Sequence, residues 1–261
     1  MVVTEDIPSN TIKKPSLWLL ATEGHRALFE LGTYYPYKFL KTDKSGDGHP
    51  VLVLPGFMAT DISTAPLRSF LKRLGYEPYG WGEGRNYANA EYLEHLIEKV
   101  EDIFLTHRAK VSLIGWSLGG VFAREIAKRK PNLIRQVITL GSPFNGITEP
   151  NNAMWLYELL TDGRGTEDVD PDLLKGLPDP APVPTTAIYS KEDGVVPWKT
   201  CLESFEDELH QNIQVRGSHL GLGVNPAVLE VIKDRLQLTA KDWYHFEPSN
   251  VLEDKLFYPS L

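Results

Sequence analysis

The chain has 261 residues, with 27 Lys and Arg against 35 Asp and Glu, a formal net charge of −8, and one cysteine, Cys201. This length suits one large domain, and 42% hydrophobic with 24% charged residues is typical of globular proteins, which disfavours disordered, fibrous and coiled-coil classes. A single cysteine cannot form an intrachain disulfide, and the net acidity argues against a nucleic-acid partner.

The N-terminal segment shows no targeting signal. Residues 1–8 lack a basic region followed by an apolar one, and no apolar run approaches the roughly 18 residues that span a bilayer. We therefore expect a cytoplasmic protein without stable membrane insertion. Secretion with a signal peptide already removed is the alternative.

Short apolar runs alternate with longer amphipathic segments, a pattern typical of βαβ units and of an α/β fold with a mostly parallel sheet flanked by helices. The predicted strands, in chain order, are Val51–Leu54, Tyr76–Trp81, Val111–Trp116, Gln136–Leu140, Thr185–Tyr189 and Ile213–Val215. The predicted helices are Ser16–Leu31, ended by Gly32, then Thr64–Leu74, Ala88–Thr106, Leu202–Asn212 and Pro226–Leu238.

Residues 145–184 separate two predicted strands by far more than the usual few-residue connection. This insertion is predicted to form a cap or lid, with a short helix around Met154–Leu160. The expected organisation is an N-terminal helical extension over 1–48, an α/β domain over 49–238 that contains the insertion, and a C-terminal tail over 239–261. The aromatic tail is predicted to pack back on the domain.

The sequence Gly115-x-Ser117-x-Gly119 lies between a predicted buried strand and a predicted helix. This context is typical of a nucleophile elbow, in which the serine takes a strained turn conformation and small neighbours let strand and helix approach. Ser117 is therefore the candidate nucleophile.

A serine nucleophile needs a base, and in this architecture the histidine follows the serine and the acid along the chain. Of the three histidines after Ser117, His210 falls in a predicted helix and His245 in the tail. His219 lies in a glycine-rich loop after a predicted strand, where its imidazole reaches over the edge of the sheet. His219 is the predicted base.

The acid is predicted in the turn after the strand Thr185–Tyr189. Asp193 precedes Gly194 in that turn and is the preferred residue, with neighbouring Glu192 as the alternative.

The oxyanion of the reaction intermediate needs two preorganised donors. The backbone N–H of Leu118, directly after the nucleophile, is one candidate. The N–H of Phe57, in the loop after the first buried strand, is the other, because Gly56 allows the backbone to turn toward the site; Met58 is its alternative.

The chain resembles the α/β-hydrolase superfamily over about residues 49–238, and within it the serine lipase and esterase branch, with similarity to triacylglycerol lipases and lipase-like inositol deacylases. The segments that carry this resemblance are Leu54–Phe57, Gly80–Asn86, Gly115–Gly120, Leu140–Phe144 and Gly217–Pro226. The resemblance implies a Ser117, Asp193 and His219 triad that hydrolyses carboxylic esters through an acyl-enzyme, without a metal or organic cofactor. One departure is Pro55-Gly56, where many members have His-Gly.

The expected substrate is a small-molecule or lipid ester, with Met58, Trp116 and Phe144 as candidate acyl-binding residues; core packing is their alternative role. An acyltransferase or thioesterase would use the same triad. A non-catalytic binding protein of the same fold is the third hypothesis, but all three triad candidates are present. No compact metal-ligand spacing occurs, so no metal site is predicted.

Overall fold

The computed structural model describes residues 2–3, 12–40, 45–146, 175–239, 241–248 and 256–259. Its strands are β1 (Val2–Val3), β2 (Pro50–Leu54), β3 (Glu77–Gly80), β4 (Val111–Trp116), β5 (Ile134–Leu140), β6 (Thr185–Ser190), β7 (Phe205–Glu206) and β8 (His210–Val215). Its α-helices are α1 (Leu17–Leu40), α2 (Asp61–Leu74), α3 (Tyr92–His107), α4 (Leu118–Arg129) and α5 (Pro226–Gln237). Short 3₁₀ helices cover Pro131–Leu133, Trp198–Cys201 and His219–Val224.

Six strands form a parallel sheet in the order β3-β2-β4-β5-β6-β8. Every residue of β2 is buried, as expected for a parallel sheet covered by helices on both faces. Because all six strands run the same way, their carboxyl ends share one edge, where loops present functional side chains. The predicted fold class is confirmed. Strands β1 and β7 form a separate antiparallel pair.

Two groups of helices cover the sheet. One core cluster joins Tyr34 of α1, Phe70 of α2 and Ile232 of α5, and a second joins Leu96 of α3 and Phe122 of α4. Helix α1 therefore packs on the same face of the sheet as α2 and α5. No helix in the described ranges combines the length and the apolar character that crossing a membrane requires.

The predicted end of α1 at Gly32 is wrong, because the helix continues to Leu40 and contains Pro36. Glycine inside a helix costs only about 1 kcal/mol relative to alanine. The buried ring of Tyr34, whose hydroxyl donates to the carbonyl of Pro66, keeps the later part of α1 packed on the domain.

The predicted helix over Leu202–Asn212 is also wrong, because this segment contains β7 and the start of β8. The Asp207 carboxylate accepts hydrogen bonds from the N–H groups of Leu209 and His210, which turns the chain into β8. Pairing with β6 then continues along β8 from His210. Side-chain competition for the backbone and long-range pairing override the local helical pattern.

The insertion is described only in part: residues 147–174, with the predicted helix around Met154–Leu160, lie outside the described residues. The C-terminal tail contacts the domain as predicted. The N–H of Phe246 donates to the side chain of Gln211, and the Tyr258 hydroxyl donates to the carbonyl of Ala227 on α5.

Candidate active site

Ser117 lies between β4 and α4 with φ 53° and ψ −124°, in a region that non-glycine residues rarely adopt. Its glycine neighbours permit this turn. A Cβ atom at Gly119 would lie 2.8 Å from the carbonyl oxygen of Pro55, and one at Gly115 would overlap the backbone of Gly120. The strained serine at the start of a helix is the geometry that the Gly-x-Ser-x-Gly pattern predicts.

The structure brings His219 and Asp193 together. His219 begins a 3₁₀ helix after β8, and its Nδ1 lies 2.6 Å from Oδ2 of Asp193 in the turn after β6. Both side chains are buried. The other oxygen of Asp193, Oδ1, accepts from the N–H groups of Val195 and Val196 at 2.7 and 2.8 Å. Two backbone donors thus fix the rotamer of the carboxylate that faces the imidazole.

Gly141 links this pair to the serine. Directly before it, the carbonyl of Leu140 accepts a hydrogen bond from the N–H of Ser117 at 2.8 Å. A Cβ atom on Gly141, which has φ 55°, would lie 3.2 Å from Nδ1 of His219 and 3.3 Å from Oδ2 of Asp193. The backbone of Ser117 and the His219–Asp193 pair therefore both lie next to the Leu140–Gly141 turn at the carboxyl edge of the sheet.

Electrostatics favour a charged imidazolium at this position. Burial alone lowers the pKa of His219, but the charge and hydrogen bond of Asp193, with the charge of Glu23, outweigh it and raise the pKa above the usual 6.5. An imidazole with a raised pKa is a stronger proton acceptor once it is neutral, as general-base catalysis requires.

The alternative acid, Glu192, and the other two histidines after Ser117 have different partners. Glu192 forms an ion pair with Arg216 at 3.3 Å. His210 contacts Asp207 and the carbonyl of Ala181, and His245 contacts the carbonyl of Asp207. The structure therefore pairs His219 with Asp193.

The loop after β2 lies against the nucleophile: a Cβ atom on Gly56 would lie 3.0 Å from Cβ of Ser117. The N–H of Met58 donates to the carbonyl of Asn86 at 2.7 Å, so the structure does not support Met58 as the oxyanion donor. Phe57 remains the candidate from this loop. Leu118 begins α4, and the first N–H groups of a helix have no partner within it.

Asn86 braces this loop, although the sequence analysis did not single it out. Besides accepting from Met58, it donates through its backbone N–H to the carbonyl of Ala59 and through its side chain to that of Pro55. The Arg85 guanidinium donates to the carbonyl of Met58. The Gly80–Asn86 segment therefore holds the candidate oxyanion loop in shape.

Trp116 is half-buried and Phe144 is buried, and each makes a contact within the fold. The Trp116 indole N–H donates to the carbonyl of His219 at 3.0 Å, which ties the strand before the nucleophile to the histidine loop. Phe144 is 1% exposed, and the Arg124 guanidinium lies over its ring at 3.7 Å. The acyl-binding prediction for Phe144 is therefore wrong, because no open surface reaches the ring. Met58 is half-buried in the loop beside Ser117.

A hydrogen-bonded Ser–His–Asp chain lies at the opposite edge of the sheet. His49 contacts Asp47 through Nδ1 at 2.5 Å and Ser112 through Nε2 at 2.8 Å. Ser112 is fully buried near the amino end of β4, in extended backbone, and substrate has no route to it. Burial lowers the pKa of His49, although the hydrogen bond that its imidazole donates to Asp47 acts to raise it. These three residues form a buried structural network.

Among the residues that the structure describes, no three His, Cys, Asp or Glu side chains are grouped as a metal site would need. Cys201 is buried, and burial raises the pKa of its thiol.

Comparison with known proteins gives matches to both sequence and fold. A family model described as palmitoyl protein thioesterase matches residues 50–176. The human protein named serine hydrolase BPHL is 30% identical over 135 residues, covering 47% of this chain and 45% of that protein, so the match spans less than half of this relative.

Solved structures share the fold at low sequence identity. Lipase B of Aspergillus fumigatus superposes with a TM-score of 0.56 at 17% identity, covering 77% of this chain and 55% of that one. The mature lipase BlEst2 of Bacillus licheniformis gives a TM-score of 0.53 at 14% identity, covering 76% of this chain and 94% of that one.

These matches, together with the parallel sheet and the strained serine after a central strand, show that the chain has the α/β-hydrolase fold. The family and proteins that it matches are described as palmitoyl protein thioesterase, serine hydrolase and lipases.

Proposed function

We propose that the chain hydrolyses carboxylic acyl esters through an acyl-enzyme formed on Ser117. The observation that carries this proposal is the 2.6 Å contact between His219 Nδ1 and Asp193 Oδ2, next to a serine in a strained turn. A neutral imidazole that donates through Nδ1 accepts through Nε2. Asp193 thus selects the tautomer that takes a proton from a serine hydroxyl.

In the first half of the reaction, Oγ of Ser117 attacks the ester carbonyl carbon while its proton passes to Nε2 of His219. The carbonyl electron pair moves to oxygen, and the N–H groups of Leu118 and Phe57 stabilise the negative charge. When the intermediate collapses, the C–O bond to the alcohol breaks and His219 returns the proton to the leaving oxygen. The product is an acyl-enzyme and a free alcohol.

Water completes the cycle. His219 takes a proton from a water molecule while the water oxygen attacks the acyl carbon. When the second intermediate collapses, the proton returns to Ser117 and the acid is released.

A thioester is the second candidate substrate class. The observation that favours it is the match of residues 50–176 to a family described as palmitoyl protein thioesterase. The same residues would act, with a thiolate as the leaving group in place of an alkoxide. Because a thiolate is a better leaving group, the two classes place different demands on proton donation by His219.

The test uses pairs of p-nitrophenyl esters and p-nitrothiophenyl thioesters with the same acyl group, from acetyl to palmitoyl. We expect hydrolysis that Ser117→Ala abolishes, and labelling of wild-type Ser117 by a fluorophosphonate. A higher kcat/KM for oxygen esters at every chain length supports the first candidate, and a higher value for thioesters supports the second. Retained turnover in Ser117→Ala would contradict both.

A further inference from the structure

Helix α1 presents a buried carboxylate to both loops of the candidate catalytic pair. Oε1 of Glu23 accepts hydrogen bonds from the N–H of Gly194, in the acid turn, at 2.8 Å and from the N–H of His219 at 3.1 Å. Its Oε2 accepts from the N–H of Leu220 at 3.0 Å. Glu23 is 3% exposed. One side chain therefore connects the residue after Asp193 to the backbone of His219.

The contact with α1 provides acceptors for the N–H groups at the start of the 3₁₀ helix that begins at His219. The first N–H groups of a helix have no partner within it, and buried donors without a partner destabilise the fold. Here the N–H groups of Ser218, His219 and Leu220 point at α1, where Glu30 accepts the first at 2.7 Å and Glu23 the other two. Successive N–H groups of this kind form a site for acceptor oxygens, which the two carboxyl groups of α1 fill.

We propose that Glu23 is a positioning residue that holds the Asp193 turn and the His219 loop in register for proton transfer. This inference rests on the proposed function, because it assigns Glu23 a part in the same reaction. Glu23 acts through the backbone and touches neither the imidazole nor the substrate. The role makes α1 part of the catalytic apparatus, although it precedes the first strand of the sheet and lies about 196 residues from His219 along the chain.

The charges around this contact determine how its loss would be seen. Among the described residues, the charged groups at or next to the His219 loop include Asp193 from the turn after β6, Glu23 and Glu30 from α1, and Arg26, which is paired with Glu23. Arg26 binds Glu23 at 2.9 Å and also donates to the carbonyl of Glu192. The negative charge of Glu23 adds to that of Asp193 in raising the pKa of His219. Removing it therefore favours the neutral imidazole at lower pH.

Glu30 supplies a matched comparison on the same face of α1. It binds the same loop through Oε1, but its Oε2 is buried without a hydrogen-bond partner in the described residues. Burial raises the pKa of Glu30 to about 7, despite the hydrogen bonds from Ser218 that lower it. A neutral amide at position 30 keeps the contact with Ser218. At position 23, an amide places an NH₂ donor against backbone donors.

The experiment compares Glu23→Gln with Glu30→Gln, using the ester or thioester that wild type turns over and the Ser117→Ala variant as the inactive reference. We expect Glu23→Gln to reduce kcat by about ten- to a hundredfold with KM unchanged, because displaced catalytic groups slow the chemical step. The acid limb of its kcat/KM profile should move to lower pH. Glu30→Gln should lose less activity and leave the acid limb closer to that of wild type.

A readout without turnover separates this inference from the proposed function. The His219 imidazole is titrated by NMR in ¹⁵N-histidine-labelled Ser117→Ala protein, with and without Glu23→Gln. We expect a lower pKa in the double variant. If Glu23→Gln does not fold, Glu23→Asp retains the charge on a shorter side chain, and we expect a lower kcat with an unmoved acid limb.

The outcomes are distinct. A Glu23→Gln enzyme with a lower melting temperature but with wild-type kcat and pH profile would overturn the positioning role and leave the proposed function intact. Wild-type turnover that survives Ser117→Ala would overturn the proposed function itself, whatever the Glu23 variants do.

Discussion

Asp193→Asn tests the geometry of the candidate pair most directly. The substitution keeps the shape of the side chain, and the surroundings decide how the amide is oriented. The two N–H groups of Val195 and Val196 point at Oδ1, so the amide oxygen must stay there. The NH₂ group then takes the place of Oδ2, 2.6 Å from Nδ1 of His219. A donor now faces a ring nitrogen that was itself a donor.

The imidazole must respond by changing its tautomer. Nδ1 becomes the acceptor and Nε2 carries the proton, so Nε2 no longer takes a proton from Ser117. We expect kcat to fall by about 10⁴-fold, which corresponds to about 5.5 kcal/mol of lost transition-state stabilisation. KM should change little, because Asp193 is buried behind His219.

The assay is steady-state ester or thioester hydrolysis, with fluorophosphonate labelling of Ser117 as a second measure. Glu192→Gln is the matched control, because this neighbouring acid faces Arg216 in an exposed ion pair and exposed pairs contribute little. Its kcat should stay close to that of wild type. An Asp193→Asn enzyme as active as Glu192→Gln would refute the argument. A large loss of kcat in Glu192→Gln alone would identify Glu192 as the acid instead.

Three further predictions follow from the same contacts. kcat/KM should rise with pH as His219 loses its proton, with an apparent pKa above 6.5 because Asp193 and Glu23 raise it; a limb below 6.5 would contradict this. Gly119→Ala should destabilise the fold by about 1–3 kcal/mol and slow Ser117 labelling, since its Cβ meets backbone. Gly32→Ala, where a Cβ atom meets nothing within 4 Å, should raise the free energy of unfolding by about 1 kcal/mol; both changes are measured by chemical denaturation, and equal effects of Gly119→Ala and Gly32→Ala would refute the reasoning. His49→Ala should lower stability by about 1–3 kcal/mol and leave kcat unchanged; a large kcat loss would give the buried network a catalytic role.

The sheet was predictable because its signals are local. Each predicted strand overlaps an observed one, since apolar β-branched runs bounded by turn residues read as buried parallel strands. The choice of Ser117, Asp193 and His219 as candidates followed from the same pattern, because each lies in the turn or loop after a predicted strand. Parallel strands bring such positions to one edge without any knowledge of the loops.

The errors come from contacts between distant segments. The local pattern favours a helix over Leu202–Asn212, but pairing of β8 with β6 decides the outcome. Phe144 reads as a pocket residue until the Arg124 guanidinium is found over its ring. Glu23 and Glu30 are seven residues apart on α1, and no local sequence pattern indicates what they contact. Only the fold shows that the two side chains accept hydrogen bonds from N–H groups of the His219 loop, far along the chain.

The buried network of Ser112, His49 and Asp47 shows that the residue types of a triad do not by themselves make an active site. The contact between His49 and Asp47 is as short as that between His219 and Asp193, yet Ser112 sits in regular strand backbone and is fully buried. Ser117 differs because its strained turn, at the carboxyl edge of the sheet, places it at the start of α4 and beside Gly56. A hydrogen-bonded triad activates a hydroxyl, but the backbone around the serine decides whether a carbonyl reaches it and whether N–H groups receive the oxyanion. The nucleophile elbow therefore distinguishes the catalytic candidate more sharply than the triad contacts do.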